Sequence, residues 1–274
     1  MKFQLKALAV AAVLVAALPA QAAIQPGETG NGSLVLSVLD RSGISALFDL
    51  GKVYSDFNVT GTSFINSGVS AEGTNFSWDL TTGNYATAWS NFLAVASLPN
   101  SIYSVIAADN TGTGAGLRGY VASFAGPSSG IYTSQAIGTG LSAYANYIND
   151  QSNTTLTTFQ NHTLVADGSS VAISGSAYAG SPLFNNNKIN GVGPTVFGAV
   201  GADLGVIQVV SAASTLAAAN QTIFGNGAKF NLSTTGLLTY STNAPVVAVP
   251  EADSWAMMLL GLSFMGFVAR RKQV

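Results

Sequence analysis

The sequence predicts a mainly β body, antiparallel and sandwich-like or jelly-roll-like, with one or two short helices. Three observations carry this. Apolar segments are short and rich in β-branched and aromatic residues. Gly, Ser, Thr, Asn and Asp separate them, the punctuation of an all-β chain. The segments also recur along the whole stretch 23–243, so a core can be buried, which a disordered polar chain lacks.

Taken in order, residues 34–39 and 44–48 form the first hairpin through Asp40, Arg41, Ser42 and Gly43. Asp at the first turn position and Gly at the fourth suit a type I turn closed by a residue with positive φ. Both strands are apolar on both faces, as in a sandwich interior. Residues 102–108 and 119–124 flank a Gly-rich loop, and 206–210 is a further strand. Residues 164–166 and 171–173 flank Asp167-Gly168, and 229–232 and 237–240 flank Ser233-Thr234-Thr235-Gly236. Two stretches have helical period instead. Trp89, Phe92, Leu93 and Ala96 recur at i, i+3, i+4 and i+7, with Thr87 as N-cap. Ile137, Leu141, Tyr144 and Ile148 share one face of a second helix. No fixed repeat is present, which argues against a solenoid.

Charge is scarce: 8% of the 274 residues are Asp, Glu, Lys or Arg, against about 25% in ordinary soluble domains. Between residues 24 and 249 the only bases are Arg41, Lys52, Arg118, Lys188 and Lys229. That excludes nucleic acid as a partner, because phosphate binding needs clustered cations. No Cys is present and His162 is the only histidine, so no thiolate or multi-histidine metal site can form.

The remaining bases sit at the two ends. Lys2 and Lys6 precede an unbroken apolar run, 7–18, too short to span a bilayer. Pro19 follows, then Ala20-Gln21-Ala22, an A-x-A cleavage site. Residues 1–22 thus read as a secretory signal peptide cut by signal peptidase after passage through the Sec translocon, with a short N-terminal anchor as the alternative. At the other end an uncharged linker, 244–249, precedes Pro250, Glu251, Ala252, Asp253 and Ser254. Trp255 opens a 15-residue apolar run, 255–269, containing Gly261 and Gly266, and Arg270, Arg271 and Lys272 close it. At 1.5 Å per residue such a helix spans only about 22 Å. The basic stub would remain cytoplasmic, and Trp255 falls where an interfacial aromatic belongs. An ordinary tail anchor is the plain alternative.

This C-terminal arrangement resembles the PEP-CTERM sorting signal of Gram-negative bacteria, also named the ice-binding protein C-terminal domain. The resemblance covers about 25 residues, 250–274, and places Ala252 where the family has the second Pro of its Pro-Glu-Pro motif. It implies recognition at Pro250, Glu251 and Ala252 by exosortase, a membrane-embedded protease or transpeptidase. It also implies transient anchoring in the inner membrane by 255–269 and release of the body to the cell surface or matrix. Passengers of this family accompany exopolysaccharide export and biofilm formation. The opening segment, 32–40 with Asp49, Leu50 and Gly51, also looks like the start of many such passengers.

Other constellations are weaker. Gly126-Pro127-Ser128-Ser129-Gly130 fits G-x-S-x-G, and Ser128, Asp150 and His162 fall in hydrolase order. No βαβ alternation surrounds them, and Pro127 adjoins the Ser. Residues 138–143 fit a dinucleotide fingerprint but lack the preceding parallel strand and the later acid, and read as a Gly-rich helix start. Asp109 and its loop lack the further carboxylates of a calcium loop and read as a solvated turn. Asn31, Asn58, Asn75, Asn153, Asn161, Asn220 and Asn231 begin N-x-[ST] sequons, a number that chance explains in so Ser/Thr-rich a chain. The expectation is an exported surface or matrix protein without catalytic, cofactor or metal residues. A secreted hydrolase of polysaccharide or esters and an ice or surface binder are the alternatives, although no regular Thr array is present.

Overall fold

The computed structural model describes residues 24–41, 43–57, 68–112, 114–151, 168–173 and 187–243, the side chains of 68, 149–151, 173 and 190 aside. The chain divides into two compact units, Met1–Asn243 and Ala244–Val274, and every described residue belongs to the first.

The strands are β1 (Ser33–Asp40), β2 (Ile44–Val53), β3 (Asn75–Asp79), β4 (Ser101–Asp109), β5 (Gly119–Phe124) and β6 (Ser169–Ile173). They continue with β7 (Gly198–Ala199), β8 (Asp203–Val210), β9 (Asn220–Ile223), β10 (Lys229–Leu232) and β11 (Leu237–Ser241). Among the described residues three α-helices intervene: α1 (Tyr54–Phe57), α2 (Ala86–Leu93) and α3 (Ser134–Gln151). All strands join one antiparallel sheet in the order β3-β11-β10-β8-β5-β4-β1-β2-β6, with β7 paired to β4 and β9 to β8.

The expected β1–β2, β4–β5 and β10–β11 hairpins form. In the first, the Gly43 N–H donates to the Asp40 carbonyl at 3.1 Å and Gly43 has φ +118°. Only glycine adopts such a φ cheaply, which is why the turn ends there. The second predicted helical face packs inward, and the first does so in part, since Leu93 is exposed and Ala96 lies beyond the end of α2. Trp89 and Phe92 of α2, and Ile137, Leu141, Tyr144 and Ile148 of α3, are buried. Thr87 lies inside α2, whose N-cap is Tyr85.

The expectation of a sandwich-like or jelly-roll-like pair of sheets is corrected to a single sheet that curls on itself. Trp78 of β3, at one end of the strand order, donates its indole N–H to the Leu50 carbonyl of β2 at 2.8 Å, near the other end. Phe57 of α1 fills the roll against Phe76, Phe230 and Tyr240, with ring centroids 5.5–6.3 Å away. Tyr103 donates its hydroxyl to the Ala202 and Phe230 carbonyls across the same interior.

β1 is buried along all eight residues for a different reason from the one expected. Leu34, Leu36 and Val38 face the interior of the roll with Phe48, Val105 and Phe230. Val35 and Leu39 face the opposite way, in a second cluster with Ile106, Tyr120 and Ile207 that α3 covers through Ile137, Leu141 and Tyr144. A helix supplies the second layer that a sandwich would take from another sheet. At 18 residues, α3 is also longer than the short helices expected.

The chain leaves β11 at the edge beside β3. There Thr242 donates its N–H to the Thr74 carbonyl at 3.0 Å and its hydroxyl to the Ala71 carbonyl at 2.7 Å. The Thr74 N–H returns a bond to Thr242 Oγ1 at 2.9 Å. Asn243 donates its N–H to the Asn226 carbonyl at 2.7 Å and accepts the Gly73 N–H at 2.8 Å.

Candidate functional site

The residues that carry the sorting prediction lie outside the described residues: Ala20 and Ala22, Pro250, Glu251 and Ala252, Trp255, Gly261 and Gly266, and Arg270, Arg271 and Lys272. The signal peptide, the linker and the 255–269 membrane run lie there too. Among the described residues no helix is long and apolar enough to cross a membrane.

The structure does place most of the other constellations. Ser128 sits in the loop between β5 and α3, where its hydroxyl donates to Gln221 Oε1 at 3.2 Å. Its backbone is not among those with positive φ, and α3 begins only at Ser134, so no tight strand–turn–helix elbow holds it. Asp150 belongs to α3 and His162 lies outside the described residues. Gly138 and Gly140 lie within the first two turns of α3. Gly138 packs against the Arg118 guanidinium, which a side chain there would have to displace.

Asp109 Oδ1 accepts the Thr111 N–H at 2.9 Å and the Thr111 hydroxyl at 2.5 Å. This is a self-satisfied turn, and no group of three or more metal-ligating side chains occurs among the described residues. Of the sequon asparagines, Asn31, Asn75 and Asn220 are exposed, and Asn231 is half-buried with its amide on the Gly201 carbonyl and Asp203. Asn58, Asn153 and Asn161 lie outside the described residues.

The buried ionisable groups act in packing. Asp49, 5% exposed, accepts the Ser33 hydroxyl at 3.0 Å and the Gly51 N–H at 2.8 Å, and burial raises its carboxyl above the ordinary range. Burial also raises Tyr120 and Tyr144 well above the ordinary tyrosine value and Tyr132 to about 12. These phenols stay protonated under the α3 layer. On the outer face, a hydrogen bond from Lys229 draws the Asp203 carboxyl down.

One cleft was not foreseen from sequence. It measures about 410 Å³ and opens where the β1–β2 turn meets the start of β4 and β7. Asp40, Arg41, Asn100 and Ser101 line it together with Pro99 and Ile102. Three segments distant in the chain contribute, so no local motif announces it. Only the pairing of β1 with both β2 and β4 would have brought them together.

Comparison with known proteins adds one positive finding. No curated protein and no solved structure matches the chain. Residues 248–272 match the family model of the PEP-CTERM protein-sorting motif, over the stretch where Pro250, the apolar run and the basic stub coincide. The chain carries a PEP-CTERM protein-sorting motif at residues 248–272.

Proposed function

We propose that the chain is a surface or extracellular-matrix protein whose mature form is the β body alone. The signal peptide is removed after Ala22 by signal peptidase once the Sec translocon has engaged it. The 255–269 helix then holds the body transiently at the inner membrane, with Arg270, Arg271 and Lys272 on the cytoplasmic side. Exosortase cuts near Pro250, Glu251 and Ala252. The released body serves a non-catalytic structural or adhesive role linked to exopolysaccharide and biofilm.

The observation that carries this reading is the motif match at residues 248–272. The shortness of the apolar run supports a passing address over a permanent anchor. The body's composition supports a matrix role. With so few charges its surface is solvated by hydroxyls and amides, groups that exchange hydrogen bonds with sugar hydroxyls as readily as with water.

Intact-mass analysis of the protein from its native cells tests the proposal. The expected mass is that of a chain beginning after Ala22 and ending between Pro250 and Ala252. Deleting the exosortase is expected to leave the body cell-associated. A mature form that still carries Arg270 to Lys272 overturns the reading.

A further inference from the structure

Among the described residues, four of the five bases of the body are engaged in the fold. Lys52 lies 4.9 Å from the centre of the Phe76 ring. Arg118 packs on Gly138. Lys188 donates to the Pro127 carbonyl at 3.2 Å. Lys229 pairs with Asp203 at 2.6 Å. Arg41 is the exception. It is exposed, no described residue forms an ion pair with it, and it lines the cleft of about 410 Å³. In a chain this poor in cations, an unspent guanidinium at the rim of a concave site is a specific feature.

The rest of the lining narrows what could sit there. The Asn100 amide is exposed at the wall and offers both donors and an acceptor. The Ser101 hydroxyl donates to the Ser97 carbonyl at 2.9 Å and, at 2% exposure, is packed into the wall. Pro99 and Ile102 supply an apolar patch. The Asp40 carboxylate is only 3% exposed and is held by the Ser97 N–H, so it forms the floor of the cleft.

A guanidinium fork selects a carboxylate or phosphate oxyanion. Amide and hydroxyl groups select ligand hydroxyls, and the apolar patch suits the C–H face of a sugar ring. The volume lies within the range of small-ligand sites.

We propose that this cleft binds a hydroxylated carboxylate of hexuronate type, its carboxylate on Arg41 and its hydroxyls on Asn100. The same chemistry is offered by a free sugar acid and by a uronate unit of a polysaccharide. The inference rests on the cleft alone and does not depend on how the C-terminus is processed.

The test is titration of the purified full chain with D-glucuronate, D-glucose and acetate, followed by ligand-observed NMR. Arg41→Gln and Asn100→Ala are compared with wild type, since both side chains are exposed and their loss should leave the fold intact by circular dichroism. A glucuronate Kd of roughly 1 mM is expected, with glucose and acetate each about tenfold weaker and a loss of about tenfold in R41Q. A uronate trimer binding more tightly than the monomer assigns the site to a polymer. Equal binding assigns it to the free acid or a chain end. Either outcome keeps the site. Absence of glucuronate binding up to about 50 mM, binding unchanged in R41Q, or glucose binding as tightly as glucuronate overturns it.

Discussion

Replacing Gly236 by Ala should destabilise the body through two separable effects. Gly236 ends the β10–β11 turn at φ +89°, where its N–H meets the Ser233 carbonyl at 3.2 Å and its carbonyl accepts the Leu80 N–H at 2.9 Å. An L-residue forced into that region costs about 1–2 kcal/mol. The second effect is steric. A Cβ at Gly236 would fall 2.7 Å from Trp89 Nε1. Trp89 cannot easily yield, because it is 3% exposed and stacks on Phe92 with Phe48 against its edge. Overpacking of this kind costs about 1–3 kcal/mol. The expected loss in G236A is therefore about 2–5 kcal/mol.

Two controls isolate the steric part. Gly43 (φ +118°) and Gly83 (φ +58°) also have positive φ, but a Cβ at either meets nothing within 4 Å. G43A and G83A should show the backbone cost alone. Urea unfolding followed by tryptophan fluorescence gives all three values. If G236A is no less stable than the two controls, the packing argument at Trp89 is wrong.

Two further predictions concern charge. Asp49→Ala strands the Ser33 hydroxyl and the Gly51 N–H, each a loss of about 1–3 kcal/mol, whereas Asp49→Asn keeps an acceptor and should lose less. Because burial raises the folded-state pKa of Asp49, its ionisation opposes folding above that pKa. The opposition disappears as pH falls below the unfolded value, so wild type should gain stability relative to D49N on acidification. Urea midpoints of the two, compared from neutrality down into the acid range, check this, and parallel curves would refute it. Lys229→Ala breaks an ion pair whose side chains are 45% and 51% exposed, so it should cost at most about 1 kcal/mol. That cost should shrink in high salt and again at low pH, since Asp203 has a lowered pKa and contributes only while ionised.

Local rules made much of the fold legible, and long-range closure was hidden. The turns at Gly43 and Gly236 and the helical spacing of Ile137, Leu141, Tyr144 and Ile148 involve neighbours in the chain, and each formed as read. The roll depends on Trp78 reaching Leu50, a contact no local pattern encodes. β1 shows why a sandwich was expected. Two apolar faces require two covering layers, but residue type alone does not say whether sheet or helix provides them.

β9, with the sequence Asn-Gln-Thr-Ile, carries one apolar side chain and was not recognised, nor was the two-residue β7. In β3, Phe76 and Trp78 alternate with polar residues, a period-2 signal that was readable and overlooked. The cleft around Arg41 needed the completed sheet to exist. The sorting motif was legible for the opposite reason: its motif, apolar run and basic stub are contiguous.

The clasp at Thr242 and Asn243 bears on mechanics. If the body is held by a C-terminal membrane address, as proposed, any drag on it is transmitted through the chain that follows Asn243. That load first meets the four bonds tying Thr242 and Asn243 to Ala71, Gly73, Thr74 and Asn226, together with the Thr74 N–H bond to the Thr242 hydroxyl. These contacts are spread over the segment before β3 and the loop between β9 and β10, so they would share the force before β11 begins to peel from β10. On that proposal the exit point would act as a mechanical fuse set ahead of the core, and a tether pulled hard would loosen these two residues before the roll opens.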